Sequence, residues 1–130
     1  PPTLVLQGDR IPGLPLRIPN HFRSEGFEAA TKELLWRMEQ VNGPILVVGD
    51  LNFTDHEHEY KLLTQSLEDS HRESGWGMGF SFSRLPSSGI AMWRTDYVLY
   101  SEEFVALNTQ TGDFNGSDHR PVITLLGWKQ

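Results

Sequence analysis

The sequence predicts an α/β fold, one mixed sheet with helices covering one face. Three observations carry that expectation. Short apolar runs bounded by glycine, proline or polar clusters have the length of strands. Two intervening stretches place apolar residues at three- and four-residue steps. Polar, protonatable residues stand directly at the ends or starts of the strand-like runs, where a rigid sheet can aim them. At 130 residues the chain is one domain's worth, spanning 1–130.

Taken in order, Thr3–Gln7 reads as a short strand, and residues 8–23 as an extended loop holding Pro12, Pro15 and Pro19. From Ser24, a suitable N-cap, Phe27, Ala30, Leu34, Met38 and Val41 form one helical stripe that Asn42-Gly43-Pro44 stops. Ile45–Val48 is apolar throughout and reads as a strand buried on both faces. Thr54-Asp55-His56-Glu57 fits a capping box, opening a second helix with Tyr60, Leu63 and Leu67 on its buried side. Gly75, Gly77 and Gly79 interrupt regular structure before a short strand over Phe80–Phe82. Arg94–Tyr100 and Phe104–Thr109 read as strands joined by Ser101-Glu102-Glu103, and Val122–Leu126 as the last strand after a polar loop.

Composition narrows the function. Hydrophobic content of 38% and charged content of 22% suit an ordinary globular chain. No apolar run approaches the ~20 residues of a membrane span. Without cysteine there are no disulfides, zinc–thiolate sites or thiol nucleophiles. The net charge of −6 divides into +2 over residues 1–23, −7 over 24–83 and −1 over 84–130. A general phosphate-backbone binder usually presents a basic face, which weakens a nucleic-acid reading. The chain opens Pro1-Pro2 and its first methionine is Met38, so it is expected to be a processed product or a piece of a longer protein.

Three segments could do phosphoester chemistry, which needs an activated water and positive charge on the phosphoryl oxygens. Gly49-Asp50-Leu51-Asn52 leaves the Ile45–Val48 run, placing an acid and an amide donor at a strand mouth. Trp93-Arg94-Thr95-Asp96-Tyr97-Val98-Leu99 brings a second acid to the start of another strand. Ser117-Asp118-His119-Arg120-Pro121-Val122 opens the last one. Each also has a plain structural reading: Asp and Asn suit turns after strands, and an Asp-His pair suits an exposed loop. Arg94 could contact a phosphate, with a surface salt bridge the simpler expectation. Trp76, Phe80 and Phe82 could line a groove, although the phenylalanines alternate with serines as core strand residues do. His56, His58 and His71 read as solvated.

In this order the three segments resemble the endonuclease/exonuclease/phosphatase family of metal-dependent phosphoesterases, over roughly residues 44–126 and its C-terminal half. The resemblance implies half of a four-layer α/β sandwich. It implies that Asp50 orients or deprotonates the attacking water and that Asn52 stabilises the phosphoryl group. It implies that His119 binds the scissile phosphate, with Asp96 orienting its ring, and that Asp118, with Asp50, approaches the metal. The cofactor is then Mg²⁺ or Mn²⁺ in the full-length parent. The substrate is a phosphoester, with DNA, RNA, phospholipid and small phosphoesters all open. The early asparagine and glutamate that make the family's principal metal site have no match here. Pro19-Asn20-His21-Phe22 departs from the family's threonine–histidine pair, so no role passes to His21.

The parent is therefore expected to be a nuclease or phosphatase, the isolated chain inactive, and a membrane-anchored bacterial parent stays open. The competing expectation is a non-catalytic structural or interaction module that keeps the fold without the metal site. A sheet covered on one face only would also leave aliphatics of Ile45–Val48, Tyr97–Leu99 and Val122–Leu126 bare, and self-association into a homodimer through that face is expected.

Overall fold

A computed structural model of the chain describes residues 7–10, 17–21 and 25–130. Strands β1 (Gln7–Arg10) and β2 (Arg17–His21) pair antiparallel, with an irregularity after Gln7. The expected loop over residues 8–23 thus contains a two-stranded ribbon. A ribbon has only edge strands, where Pro19 lacks an N–H at little expense. Thr3–Leu6 of the expected first strand and the Ser24 cap lie outside the described residues.

Helix α1 (Glu25–Glu39) has the expected span but a slightly rotated stripe. Thr31 and Met38 are buried, Leu34 and Leu35 half-buried, and Ala30 faces out. Val41 lies past the helix end, after a tight turn in which its N–H bonds the Met38 carbonyl, and is exposed. On the outer face Lys32 pairs with Glu28 and Arg37 with Glu33, at the i,i+4 spacing of solvated helix ion pairs.

Strands β3 (Leu46–Asp50), β4 (Glu68–Asp69) and β5 (Asp96–Tyr100) form one antiparallel sheet in the order β3-β5-β4. Strands β6 (Phe104–Thr111) and β7 (Val122–Trp128) form a second antiparallel pair, with a bulge between Ala106 and Asn108. The α/β class holds, but the pairing differs from the expected single mixed sheet. Among the described residues every strand pair is antiparallel, and an isolated bridge from Gly75 to Thr109 is parallel. The short Ser101–Glu103 connection links β5 to β6 and so passes from one sheet to the other.

Helix α2 (His58–Leu63) begins one turn later than the capping-box reading implies. Glu57 does reach back, accepting from the Thr54 N–H at 2.8 Å and the Thr54 hydroxyl at 3.1 Å. These bonds close a separate turn, and the first helical bond runs from the Lys61 N–H to the Glu57 carbonyl. Helix α3 (Ser70–Ser74) was not expected. The Asp69 carboxylate caps it by accepting from the His71 N–H. The expected Phe80–Phe82 strand reduces to bridges at Phe82, to Trp93 and to His119.

The core lies between the β3-β5-β4 sheet and α1 and α2: Met38, Val47, Phe53, Tyr60, Leu63, Leu67, Tyr97 and Leu99. Period-two alternation sends Val47, Tyr97 and Leu99 to that side. Leu46 and Val48 take the other side and stay 49% and 65% exposed, so β3 is buried on one face and not on both. On β5 that side is covered too: Val98 and Tyr100 are buried, as Tyr97 and Leu99 are on the core side, so the expected bare face does not include Tyr97–Leu99. Val105, Leu107, Ile123 and Leu125 are exposed on β6 and β7.

Candidate functional site

Register brings the first two acids together. Asp50 ends β3 directly opposite Asp96, which begins β5, so the two side chains share the face that carries exposed Val48. The turn after Asp50 is fixed from both ends. The Leu51 N–H bonds the Thr95 carbonyl at 2.9 Å, and the Asn52 N–H bonds Asp50 Oδ1 at 2.9 Å. Asn52 adopts φ 58°, the left-handed region that asparagine tolerates better than most residues. Asp50 Oδ1 is thereby committed, while its Oδ2 stands 3.8 Å from His119 Nε2.

His119 is held on its other edge. Its Nδ1 lies 2.8 Å from Asp96 Oδ2. That oxygen also accepts from the Ser81 hydroxyl at 2.6 Å and the Thr95 hydroxyl at 3.2 Å. Ser81 Oγ in turn accepts from the backbone N–H groups of Thr95 and Asp96. The Phe82 ring packs on the imidazole with centroids 4.9 Å apart. The segment is stitched down by the Arg120 N–H to the Ser81 carbonyl and the Ser83 N–H to the Asp118 carbonyl. Asp96 therefore fixes the ring's angle, and Nε2 points toward Asp50 and solvent.

The electrostatics follow from this layout. Partial burial opposes a charge on His119. The Asp96 hydrogen bond, together with the charges of Asp96, Asp50 and Asp118, outweighs it and holds the pKa above the ordinary histidine value of 6.5. The ring is thus biased toward imidazolium, a donor at Nε2 suited to an anion.

Four of the expected site residues, Asp50, Asn52, Asp96 and His119, meet at the Asp50–Asp96 end of the sheet. Asp118 is exposed beside them; its charge is felt by His119, but its carboxylate is not in the tight cluster. Arg94 is a correction. It is 5% exposed, forms a two-pronged pair with Asp69 at 2.7 and 3.0 Å, and also reaches Asp55. It is neither a surface salt bridge nor turned toward the Asp50–Asp96–His119 cluster. The strand starts at Asp96, so alternation does not carry Arg94 to the same face. Its guanidinium instead stacks on the core ring of Tyr97.

Sequence reasoning missed Ser81 and Thr95, whose hydroxyls orient Asp96. The Phe-Ser-Phe-Ser alternation was the available signal, since Ser81 and Ser83 are the fully buried members. Phe82 is a wall of the site, whereas Trp76 is 94% exposed. His56 and His58 are exposed as expected. His71 is not solvated: its ring packs where a Cβ on Gly75 or Gly79 would stand.

The family's model matches residues 5–119, most of the chain. The chain belongs to the Endonuclease/Exonuclease/phosphatase family. The match reaches well ahead of residue 44, where the sequence resemblance begins. Similar solved structures include a family member from Bacteroides vulgatus, at 18% identity and TM-score 0.65, covering 81% of this chain and 45% of that one. A mannosyl-6-phosphatase of Bacteroides thetaiotaomicron gives 18% identity and TM-score 0.66, covering 83% and 48%. A family protein of Leptotrichia buccalis gives 18% and 0.60, covering 87% and 45%. At these identities the likeness is one of fold, and the chain spans about half the length of the structures it matches. Comparison with curated proteins returns no match.

Family hydrolases are generally phosphoesterases and typically use a divalent metal. One ligand atom each from Asp50, Asp96 and His119 lies within 4.8 Å of the others. This donor set fits a cation only in part. Mg²⁺ wants near-octahedral oxygen ligands, yet Asp96 Oδ2 already serves three hydrogen bonds and His119 Nδ1 is bonded to it. That leaves Asp50 Oδ2 and exposed Asp118 as the carboxylates suited to an ion.

Proposed function

We propose that this chain supplies the phosphate-binding and water-orienting side of a Mg²⁺- or Mn²⁺-dependent phosphoesterase. The observation that carries the reading is the hydrogen-bonded series Ser81–Asp96–His119, with Asp50 at 3.8 Å from the free imidazole nitrogen. A non-catalytic module has no need of an oriented, charge-biased histidine beside two carboxylates.

In this reading, His119 donates from Nε2 to a phosphoryl oxygen, and its positive charge matters most as the phosphoryl group gains charge in the transition state. Asp96 keeps the ring oriented and cationic and touches no substrate atom. Asp50 accepts a hydrogen bond from the attacking water and takes up its proton. Asn52, exposed at the turn, offers its side-chain amide to a second phosphoryl oxygen. A bound divalent cation would add positive charge at the phosphoryl oxygens, with Asp50 and Asp118 as this chain's contribution to holding it. The donor set here is too small for a tight site, so the remaining ligands come from elsewhere in the active protein. The mannosyl-6-phosphatase among the similar structures supports phosphoester hydrolysis as the reaction class.

The test is steady-state hydrolysis of phosphomonoesters and phosphodiesters by the natural full-length protein with Mg²⁺ saturating. His119→Ala should lower kcat far more than it raises KM. Near wild-type turnover in both His119→Ala and Asp96→Asn would overturn the assignment.

A further inference from the structure

Alternation along β5 puts Tyr97 on the core side of the sheet, opposite the side that bears Asp96. Its ring is 2% exposed and wedged among Phe53 at 5.9 Å, Tyr60 at 5.5 Å and the Arg94 guanidinium at 4.7 Å. The hydroxyl is therefore held at one point. It donates to the Arg94 carbonyl at 2.8 Å and the Phe53 carbonyl at 3.1 Å, sharing its single proton between them. Burial raises its pKa, so it stays protonated and remains a donor.

The two carbonyls belong to the segments that carry the site. Phe53 follows Asn52, and Arg94 precedes Thr95 and Asp96. These segments differ in what else holds them. Thr95 and Asp96 donate their N–H groups to Ser81 Oγ, and Asp50 is fixed by its register opposite Asp96. Asn52 lies past that last register pair at φ 58°, and its N–H bonds Asp50 within the same turn. Arg94 is anchored by its side chain to Asp69. The Tyr97 hydroxyl thus ties the turn that bears Asn52 to a fixed point of the core.

We propose that Tyr97 is a positioning residue for phosphoester hydrolysis: its buried hydroxyl sets where Asn52 presents its amide, without touching substrate. The proposal deepens the phosphoesterase reading and rests on it. A donor aimed at developing charge works only within a narrow range of distance and angle. Freeing the turn therefore costs rate more than ground-state binding.

The experiment is steady-state hydrolysis of p-nitrophenyl phosphate and bis(p-nitrophenyl) phosphate by the full-length protein with Mg²⁺ saturating. Thermal melts set an assay temperature at which the variants are folded. Tyr97→Phe, which deletes one oxygen, should lower kcat on the order of tenfold and leave KM within about twofold. In an Asn52→Ala background the same change should cost less than about twofold, because the group it positions is gone. Tyr97→4-aminophenylalanine, which returns N–H donors to the same place, should restore turnover. Amide NMR of the isolated chain should show the Leu51, Asn52 and Phe53 signals moving in Tyr97→Phe. A merely structural hydroxyl would lower the melting temperature and leave the kcat of folded enzyme alone. Near wild-type kcat in Tyr97→Phe, an equal loss in both backgrounds, unmoved Asn52 signals or a variant that cannot fold each overturn the positioning role. A loss of turnover in His119→Ala keeps the phosphoesterase reading standing in those cases. If His119→Ala is as active as the wild type, that reading falls and this inference with it.

Discussion

Two acid–cation pairs sit at neighbouring positions of the chain, and their difference separates stability from chemistry. Arg94–Asp69 is sealed, its side chains 5% and 3% exposed, while His119–Asp96 is open at 28% and 19%. In the first, both carboxylate oxygens bind one guanidinium, and the Tyr60 hydroxyl donates to the same acid at 2.7 Å. Burial, then that hydrogen bond and the Asp69 charge, push Tyr60 up to about 12. Burial opposes a charge on Arg94 too, but Asp69 outweighs it and raises its affinity for the proton. Both shifts carry Tyr60 and Arg94 further from neutrality. In the second pair the acid grips one edge of an imidazole and leaves the other edge to the exterior. The closed pair is sealed on every side, and the half-open one leaves a nitrogen for an outside partner.

The largest effect expected from breaking this contrast is on the closed pair. Arg94→Met strands the Asp69 charge, and a buried pair broken from one side typically loses about 3–5 kcal/mol. Urea denaturation of the chain should show that loss. A variant within 1 kcal/mol of the parent, a small effect by the same principle, would mean Arg94 carries little.

On the open pair the expected loss lies in turnover. His119→Ala in the full-length protein should lower kcat by roughly 10²–10³-fold, the scale of removing one preorganised transition-state donor. Asp96→Asn should fall less, because it removes the orienter and keeps the contact.

The pH dependence sharpens the same comparison. The fold holds the charged form of His119, so the folded chain binds that proton more tightly than the unfolded chain does. The resulting stabilisation is fully present below the ordinary histidine value of 6.5 and is lost as pH rises through the higher folded pKa. NMR titration should place His119 above 6.5, and Asp96→Asn should bring it down. An unchanged value in that variant would show that the 2.8 Å contact does not control the charge.

Two smaller effects concern what lies around the pair. Calorimetry should find no tight Mg²⁺ site in the 130-residue chain, since Asp50 and Asp118 are too few ligands for an ion that dehydrates reluctantly; micromolar binding would contradict this. On β3, Leu46 and Val48 are exposed on the side that bears Asp50, and such apolar surface favours association. Light scattering should detect self-association that Val48→Lys weakens; a monomer indifferent to the lysine would rule it out.

The primary structure determined which polar residues border the strands better than how the strands pair. Asp50, Asn52, Asp96 and His119 were recognisable because each borders an apolar run, and period-two alternation then brings Asp50 and Asp96 to one face. The helical stripe around Leu34 and Met38 and the strands of the C-terminal hairpin were legible for the same reason: local periodicity is written in side-chain order. Tertiary structure decided what depends on partners distant in sequence. Whether Arg94 faced a phosphate or the core turned on where β5 begins and on Asp69, 25 residues away. Ser81 became the support of Asp96 only when residues 15 apart came within hydrogen-bonding distance. Antiparallel pairing in place of a mixed sheet followed from which strands found each other, and the charge on His119 from three carboxylates converging on one ring. Periodicity fixes which way a side chain points along its own element; burial, pairing and charge are set by what the rest of the fold brings against it.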